Sequence, residues 1–264
     1  MPHDLYQLDA FTDEPFRGNP AAVCVLKGPK QDAWMQALAS EMNLSETAFL
    51  LPEGQGWHLR WFTPKAEVDL CGHATLASAM VLFETQPTLR PGPVRFQTRS
   101  GELSATWVDG QIELDFPAML PDRPVSIDEP IKHALGFTPT QGVVSGDYFL
   151  FEAADEATVH TARPDFIALA KLPMPEVIIT AISNDPQYDF ISRFFAPQIG
   201  IDEDPVTGSA HCLLAPYWAE KLKKDSFTAY QASPRGGRLD LCLSGARVNI
   251  KGSAIFIFKA SLLV

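Results

Sequence analysis

The chain has 264 residues, of which 46% are hydrophobic and 20% charged, and its formal net charge at pH 7 is −11. This length allows one large domain or two smaller domains, each with an adequate core. The acidic balance argues against nucleic acid or an anionic membrane as the main partner, because both would repel the chain. A small anionic ligand is still allowed, since it needs only a local positive field.

The cysteine pattern predicts neither structural disulfides nor a zinc site. No two of the four cysteines form a C-x-x-C pair, and their spacing matches no known set of metal ligands. The first residues lack the basic and apolar regions of a signal peptide, and the apolar stretch 254–258 is too short to span a bilayer. We therefore expect a cytoplasmic protein with no bound metal and no membrane partner.

The first half reads as strands around two helices. Alternating or short apolar runs predict strands over 5–9, 21–26, 45–51 and 58–64, followed by a meander over 94–98, 102–108 and 111–116. Apolar residues at helical spacing predict helices over 32–42 and 72–84. The second of these helices is apolar on most of its faces, which is typical of a helix buried all round.

The proline-rich stretch 117–130 is predicted to be a linker between domains. Beyond it, short helices are predicted over 131–135 and 164–169, and a long apolar helix over 208–223. Strands are predicted over 142–151, 177–183 and 190–195, and again from 227 to 262.

The chain also repeats itself. The motif Arg-Trp-Phe-Thr-Pro at 60–64 recurs as Arg-Phe-Phe-Ala-Pro at 193–197, an offset of 133, and Cys-Gly-His-Ala at 71–74 matches Thr-Gly-Ser-Ala at 207–210, an offset of 136. Each copy of the second motif leads into a long apolar helix. These matches predict two related halves, with the strands of each half wrapped around its own helix. At the offset of 133, Ile179 is the expected counterpart of Glu46.

Two helix starts of this kind predict a pocket for a carboxylate. The first N–H groups of a helix have no internal partners, and the helix dipole favours negative charge there. Gly72 and Gly208 would let a ligand approach the backbone closely. We expect both helix starts to face one cleft between the halves.

Four stretches in order carry a resemblance to a known family: 7–12 with 18–20, 45–49, 69–75 and 204–210. With these motifs the chain resembles the PhzF-like (phenazine biosynthesis-like) isomerases, which share the diaminopimelate epimerase fold. The resemblance implies an α+β protein with two pseudo-symmetric halves, each a mixed β-sheet or barrel around a central apolar helix. It implies a first half of 1–117 plus about 250–264, and a second half of 118–249, because the C-terminal strand returns to the first half.

The resemblance also implies the chemistry of the site. Glu46 would be the general acid/base, with His73, Asp204 and Ser209 around a small carboxylate substrate that the Gly72 and Gly208 helix starts help to bind. The reaction would be the relocation of a proton without metal or organic cofactor, as in the isomerisation of a cyclohexadiene acid in the best-understood member. A homodimer is implied as well.

The residues themselves leave alternatives open. A carboxyl group moves protons well when partial burial lifts its pKa toward neutrality, but glutamate usually lies on the solvent face of a strand. His73 could be a capping histidine or a proton relay. Asp204 could be a loop acid or a hydrogen-bond acceptor for the substrate or for His73, and Ser209 could be an ordinary residue of a first helical turn.

Two other functions compete with the isomerase. Cofactor-independent amino-acid racemases and epimerases of this fold use two facing cysteines, but here Cys71 is matched by Thr207, whose hydroxyl cannot replace a thiolate at neutral pH. A non-catalytic protein that binds small acids would need the same pocket without turnover.

Overall fold

The structure, a computed structural model, describes residues 3–264. The chain divides into two compact units: unit 1 comprises Met1–Phe116 and Asn249–Val264, and unit 2 comprises Pro117–Val248. Each unit combines mixed β-structure with one long buried helix, so the class is α+β.

Unit 1 has two helices, α1 (Asp32–Met42) and α2 (Gly72–Thr85), and a short 3₁₀ turn over Pro87–Leu89. Its strands are β1 (Asp4–Ala10), β2 (Asn19–Val25), β3 (Glu46–Glu53), β4 (Gly56–Phe62), β5 (Glu67–Val68), β6 (Val94–Thr98), β7 (Gly101–Val108) and β8 (Gln111–Pro117), with β18 (Ala254–Ser261) returning from the C-terminal end.

The strands of unit 1 alternate between antiparallel and parallel neighbours. β1 lies between β18 and β2, antiparallel to both. β2 is parallel to β3, β3 is antiparallel to β4, and β4 is parallel to β6. The antiparallel strands β7 and β8 continue from β6. The pairing of β18 with β1 brings the C-terminal strand into unit 1.

Helix α2 is the core of unit 1. Residues 72–83 are all buried, and the helix packs on β1, β2, β3, β7 and β18. Thr75 and Ser78 can be buried because their hydroxyls donate to the carbonyls of Cys71 and Ala74, at 2.5 and 2.7 Å. Burial of each large apolar side chain contributes about 1.5–3 kcal/mol relative to exposure, so the all-round apolar pattern holds this helix inside the strands.

Unit 2 contains the helices α3 (Glu129–Leu135), α4 (Glu156–Thr161), α5 (Phe166–Leu169) and α6 (Ala210–Leu222), and a 3₁₀ turn over Pro197–Ile199. Its strands are β9 (Arg123–Pro124), β10 (Gln141–Ser145), β11 (Tyr148–Glu152), β12 (Glu176–Ile182), β13 (Phe190–Ala196), β14 (Ile201–Asp204), β15 (Ser226–Gln231) and β16 (Gly237–Ser244), and β17 (Arg247–Gly252) begins in this unit.

The pairing in unit 2 repeats the order found in unit 1. β10 and β11 are antiparallel, β11 is parallel to β12, β12 is antiparallel to β13, and β13 is parallel to β15. The proline-rich stretch 117–130 belongs to this unit and contains β9 and the first residues of α3. It is therefore partly structured, whereas the sequence indicated a linker.

Helix α6 is buried from Ala210 to Trp218. Pro216 lies inside it and lacks the N–H that would bond to the carbonyl of Cys212. The N–H of Met119 takes that place, at 2.9 Å from the Cys212 oxygen. The helix begins at Ala210 rather than at Gly208, so Gly208 and Ser209 form a turn that leads into it.

Candidate functional site

In unit 1 the polar candidates lie where two parallel strands and a helix begin. Asn19 is the first residue of β2 and Glu46 is the first residue of β3, with Ala21 opposite Glu46 in the register. His73 is the second residue of α2, which packs on both strands. Parallel strands that begin at one edge bring their first side chains together, and the helix supplies the third.

The four polar side chains of this cluster are all buried. Glu46 is 8% exposed and His73 is 4% exposed. The Glu46 Oε2 atom lies 3.1 Å from His73 Nε2 and makes no hydrogen bond of good geometry. The other ring nitrogen, Nδ1, is 3.1 Å from the Asn19 amide nitrogen and 3.5 Å from Cys71 Sγ. Burying a carboxylate without a full set of hydrogen-bond donors costs free energy. Such an incompletely bonded buried carboxyl group is typical of a catalytic residue.

His73 and Cys71, the two titratable side chains next to Glu46, differ in the protonation state that their surroundings favour. Burial by itself would lower the pKa of His73, but the nearby Cys71 and Glu46 outweigh burial and raise it well above its usual value. Burial, followed by the charge of Glu46, raises the pKa of the Cys71 thiol to about 11. Cys71 is therefore a thiol at neutral pH, so at that pH the contact with the Glu46 carboxylate is what favours protonation of His73.

Asn19 can serve both protonation states of His73. With its amide nitrogen toward Nδ1, as placed, the imidazole is neutral and carries its proton on Nε2, facing Glu46. The raised pKa of His73 favours the imidazolium, and this form needs the amide oxygen at Nδ1 instead. The two arrangements differ by one proton and by a rotation of the amide that exchanges its nitrogen and oxygen.

In unit 2 the turn before α6 is held by one buried glutamine. The Gln231 Nε2 atom donates to the Asp204 carbonyl at 2.8 Å and to Thr207 Oγ1 at 3.2 Å, and Gln231 Oε1 accepts from the Thr207 N–H at 2.8 Å. Thr207 Oγ1 in turn donates to Asp204 Oδ2 at 2.5 Å. Asp204 is 6% exposed and Gln231 is fully buried. The glutamine thus fixes the backbone that presents Asp204, Gly208 and Ser209.

His211 does not share the properties of His73. Its Nδ1 atom lies 2.8 Å from the Thr207 carbonyl and donates to it, and burial lowers its pKa to about 4. It is therefore a neutral histidine of the core. The neighbouring Cys212 is also buried, and burial raises the pKa of its thiol to about 12.

A cavity of about 420 Å³ lies elsewhere in unit 2, lined by Arg163, Phe166, Arg193, Glu203 and Ser233 among others. None of the candidate residues line it. Arg193 is already paired with Glu203 and with backbone carbonyls, so we assign no role in the reaction to this cavity.

The whole chain is similar to known proteins. Residues 8–260 match the sequence profile of the phenazine biosynthesis-like (PhzC-PhzF) family. The chain is 47% identical over 264 residues to an uncharacterized isomerase of Halalkalibacterium halodurans, covering 100% of both chains, and 50% identical over 258 residues to one of Pseudomonas aeruginosa, covering 97% of each. The chain belongs to the PhzF-like isomerase family. The predicted resemblance and the prediction of an isomerase are thereby confirmed at the level of the family.

Solved structures confirm the fold. The PhzF family protein of Enterococcus faecalis is 44% identical, with a TM-score of 0.95 and full coverage of both chains. A structure described as a probable proline racemase, from Agrobacterium radiobacter, has a TM-score of 0.68 at 12% identity, with 99% of this chain and 93% of that chain covered, which shows a shared fold only. The predicted diaminopimelate epimerase-like α+β fold is confirmed. Within residues 3–264, no helix is both long and apolar enough to cross a membrane.

The strand registers correct one expectation about the repeat in this PhzF-like chain. The offset of 133 that relates Arg60 to Arg193 places Ile179 opposite Glu46. In the structure, however, Arg60 pairs with Phe49, whereas Arg193 pairs with Ile179. Ile179 is therefore the equivalent of Phe49. The path from β12 to β13 is three residues longer than the path from β3 to β4, and an ungapped offset cannot reveal this.

The counterpart of Glu46 is Glu176. Each is the first residue of its strand, and each lies beside a parallel neighbour, Ala21 for Glu46 and Tyr148 for Glu176. Burial raises the pKa of Glu176, with further contributions from the charges of Asp147 and Asp204, against a hydrogen bond to Tyr148 that lowers it. Both units therefore begin this strand with an acid, and only Glu46 has an imidazole next to it.

The raised pKa of Glu176 predicts a pH-dependent effect on stability. The folded state holds this proton to higher pH than the unfolded chain, so the free energy of unfolding falls as pH rises from 4.5 through the raised folded value. Glu176→Gln removes this penalty. We expect urea unfolding to show a variant more stable than the parent at about pH 8, with the gain disappearing below about pH 4. Glu220→Gln, at an exposed position on α6, is the matched control; an equal gain at both pH values would contradict the prediction.

The sequence identified part of this arrangement. Glu46 and His73 were predicted to act together, and the structure brings them into contact. In unit 2, Asp204 is the last residue of β14, and Gly208 and Ser209 form the turn before α6, so the three lie close in the chain. Sequence reasoning missed three residues: Asn19, Gln231 and Glu176. The signal for Asn19 was present, because it stands in the Gly-Asn-Pro motif of the resemblance.

Proposed function

We propose that this protein is a cofactor-independent isomerase that relocates a proton on a small carboxylate, with Glu46 as the general acid/base. The observation that carries the proposal is the buried carboxyl of Glu46, whose Oε2 lies 3.1 Å from His73 Nε2. Membership of a family with relatives described as isomerases supports the reaction class. The protein is expected to act in the cytoplasm and to form a homodimer, and sedimentation tests the latter.

The proposed reaction needs no oxidant or reductant. The Glu46 carboxylate takes a proton from one carbon of the substrate, and the electron pair of that C–H bond moves into the adjoining π-system. The resulting Glu46 carboxylic acid, whose acidic proton exchanges with solvent, then protonates a different carbon, so the substrate and product are isomers. His73 stabilises the charged form of Glu46 before the first transfer and after the second, because its ring lies against this carboxylate, which also raises the pKa of His73.

In unit 2 we propose that Asp204, Gly208 and Ser209 bind the substrate. The N–H groups of a turn that leads into a helix favour a carboxylate, and Gln231 keeps this turn in one conformation. Asp204 would accept a hydrogen bond from a substrate hydroxyl or amine. Variants at these positions are expected to raise KM more than they lower kcat, because they remove binding and leave the proton-transfer group in place.

The test is exchange of substrate hydrogen with solvent. Small unsaturated carboxylates are incubated with the protein in deuterium oxide, and deuterium incorporation is followed by NMR together with any shift of the double bond. The proposal expects incorporation at the carbon that gains the proton. A carboxylate that binds in calorimetry and never exchanges, across a broad panel, would instead support the binding protein.

The racemase alternative makes a different prediction. It requires a thiolate at Cys71, whereas the pKa of that thiol is about 11 and the matching position in unit 2 is Thr207. If a racemase is present, Cys71→Ala removes exchange at a stereocentre and Glu46→Gln leaves it intact. The isomerase proposal expects Glu46→Gln to be the variant that removes exchange.

A further inference from the structure

Three metal-binding side chains converge in unit 1, although their spacing in the sequence matches no metal motif. Glu46, Cys71 and His73 are all buried, and each offers one ligand atom such that the three atoms lie within 4.8 Å of one another. Cys71 and His73 flank a single glycine at the start of α2, while Glu46 comes from β3. The fold alone assembles this set, which explains why sequence spacing predicted no metal site.

The separation of the Glu46 and His73 ligand atoms suits a tetrahedral zinc ion, with Cys71 near enough to join them. Zinc bond lengths of about 2.0–2.3 Å to nitrogen, oxygen and sulfur place tetrahedral ligands about 3.4 Å apart for N···O and about 3.6 Å apart for N···S. In the structure His73 Nε2 is 3.1 Å from Glu46 Oε2 and 4.0 Å from Cys71 Sγ. The Nε2···Oε2 separation is within a few tenths of an ångström of the tetrahedral value. Cys71 Sγ lies nearer Nδ1, at 3.5 Å, so a rotation of the Cys71 side chain toward Nε2 is needed to complete the geometry.

The chemistry of the three donors selects the metal. One sulfur, one imidazole nitrogen and one carboxylate oxygen form a set that favours zinc, whereas magnesium and calcium prefer oxygen ligands. Three protein ligands leave a fourth position open to water or substrate. Asn19 lies at the remaining nitrogen of His73, where its amide oxygen would accept the Nδ1–H of a metal-bound imidazole and fix the ring.

We propose that Glu46, Cys71 and His73 form a three-ligand zinc site, and that zinc bound there inhibits the protein. The inhibition rests on the proposed function, since the metal takes the same Glu46 oxygen and His73 nitrogen that proton transfer requires. The binding itself does not rest on it. A zinc ion and the transferred proton therefore compete for one carboxylate.

The binding is tested on the full chain, stripped of metal and kept reduced. Cobalt(II) replaces zinc as a spectroscopic probe, and a thiolate-to-cobalt charge-transfer band reports a Cys–metal bond, while calorimetry measures zinc affinity. We expect the parent chain to show the band and Cys71→Ser to lose it, with zinc affinity at least about 10-fold lower. The control is Cys242→Ser, which removes the exposed cysteine and is expected to keep the band.

The possible outcomes separate the two parts of the proposal. No band in the parent chain, or a band that survives Cys71→Ser and disappears in Cys242→Ser, overturns the site. A band without any zinc effect on solvent exchange overturns the inhibition alone; the proposal expects exchange to fall with zinc occupancy and to return on chelation. A chain that shows the band but never exchanges hydrogen contradicts the proposed isomerase while confirming zinc binding, because the band is read without turnover.

Discussion

Glu46→Gln is expected to slow the exchange of substrate hydrogen with solvent by about 10²–10⁴-fold, which is the usual contribution of a positioned general acid/base. The amide of glutamine has nearly the shape of the carboxyl group and can still contact His73 through its oxygen, but it cannot accept and return a proton. Substrate affinity is therefore expected to change little. Deuterium incorporation measured by NMR gives the rate, and calorimetry gives the affinity.

The same strand offers a matched control for this variant. Glu53 is the last residue of β3 and is exposed, so Glu53→Gln makes the same chemical change, away from the buried cluster. It is expected to leave exchange unaltered. Exchange in Glu46→Gln at the rate of the parent would remove Glu46 from the mechanism and would direct attention to Cys71.

His73→Asn tests the contact between Glu46 and His73 from the side of the histidine. An asparagine can hydrogen-bond to Glu46 but carries no charge, so the form of the cluster with an ionised Glu46 loses its stabilisation. The resulting change should appear in the pH profile of kcat more than in KM, because the residue acts on Glu46 and not on substrate binding. A variant with a raised KM and an unchanged profile would indicate that His73 binds the substrate instead.

The local patterns of the chain predicted most of its elements because each pattern has a local cause. Helix α2 is apolar on most of its faces, and such a helix is stable only inside other structure; the structure buries it within unit 1. The start of α6 was predicted two residues early, at Gly208, whereas Gly208 and Ser209 form the turn that leads into the helix. Helix α4, which was not predicted, is short and has its N-cap at Asp155.

Local sequence patterns could not predict the features that depend on pairing between distant segments of the chain. The partner of Glu46 in the repeat follows from the strand register, which shifts by three residues between the two units. The hydrogen bonds of Gln231 join the end of β15 to Thr207, 24 residues earlier in the chain. A single glutamine at the end of a strand does not predict these bonds. The proposed zinc site likewise depends on Glu46 lying beside α2. Local propensity carries no information about such contacts.

The arginine of the repeated motif shows how a conspicuous sequence feature can be purely structural. In unit 2, Arg193 is 7% exposed, and its guanidinium forms two hydrogen bonds to Glu203, at 2.7 and 2.9 Å. Its remaining nitrogen donates to the carbonyls of Val159 and Ala162, at 3.1 and 2.9 Å. One side chain therefore ties β13 to β14 and to the C-terminal end of α4.

Arg193→Ala is expected to lower the free energy of unfolding by about 3–5 kcal/mol, because it leaves the carboxylate of Glu203 in a largely buried position without its partner. This is a large fraction of the total for a typical domain, about 5–15 kcal/mol. The control is Arg95→Ala, whose ion pair with Glu102 is exposed and should contribute less than about 1 kcal/mol. Urea unfolding measures both. If charge burial is the cause, replacing Arg193 and Glu203 together by methionine recovers much of the loss; equal losses in the single and double variants would show that packing, and not the unpaired charge, is responsible.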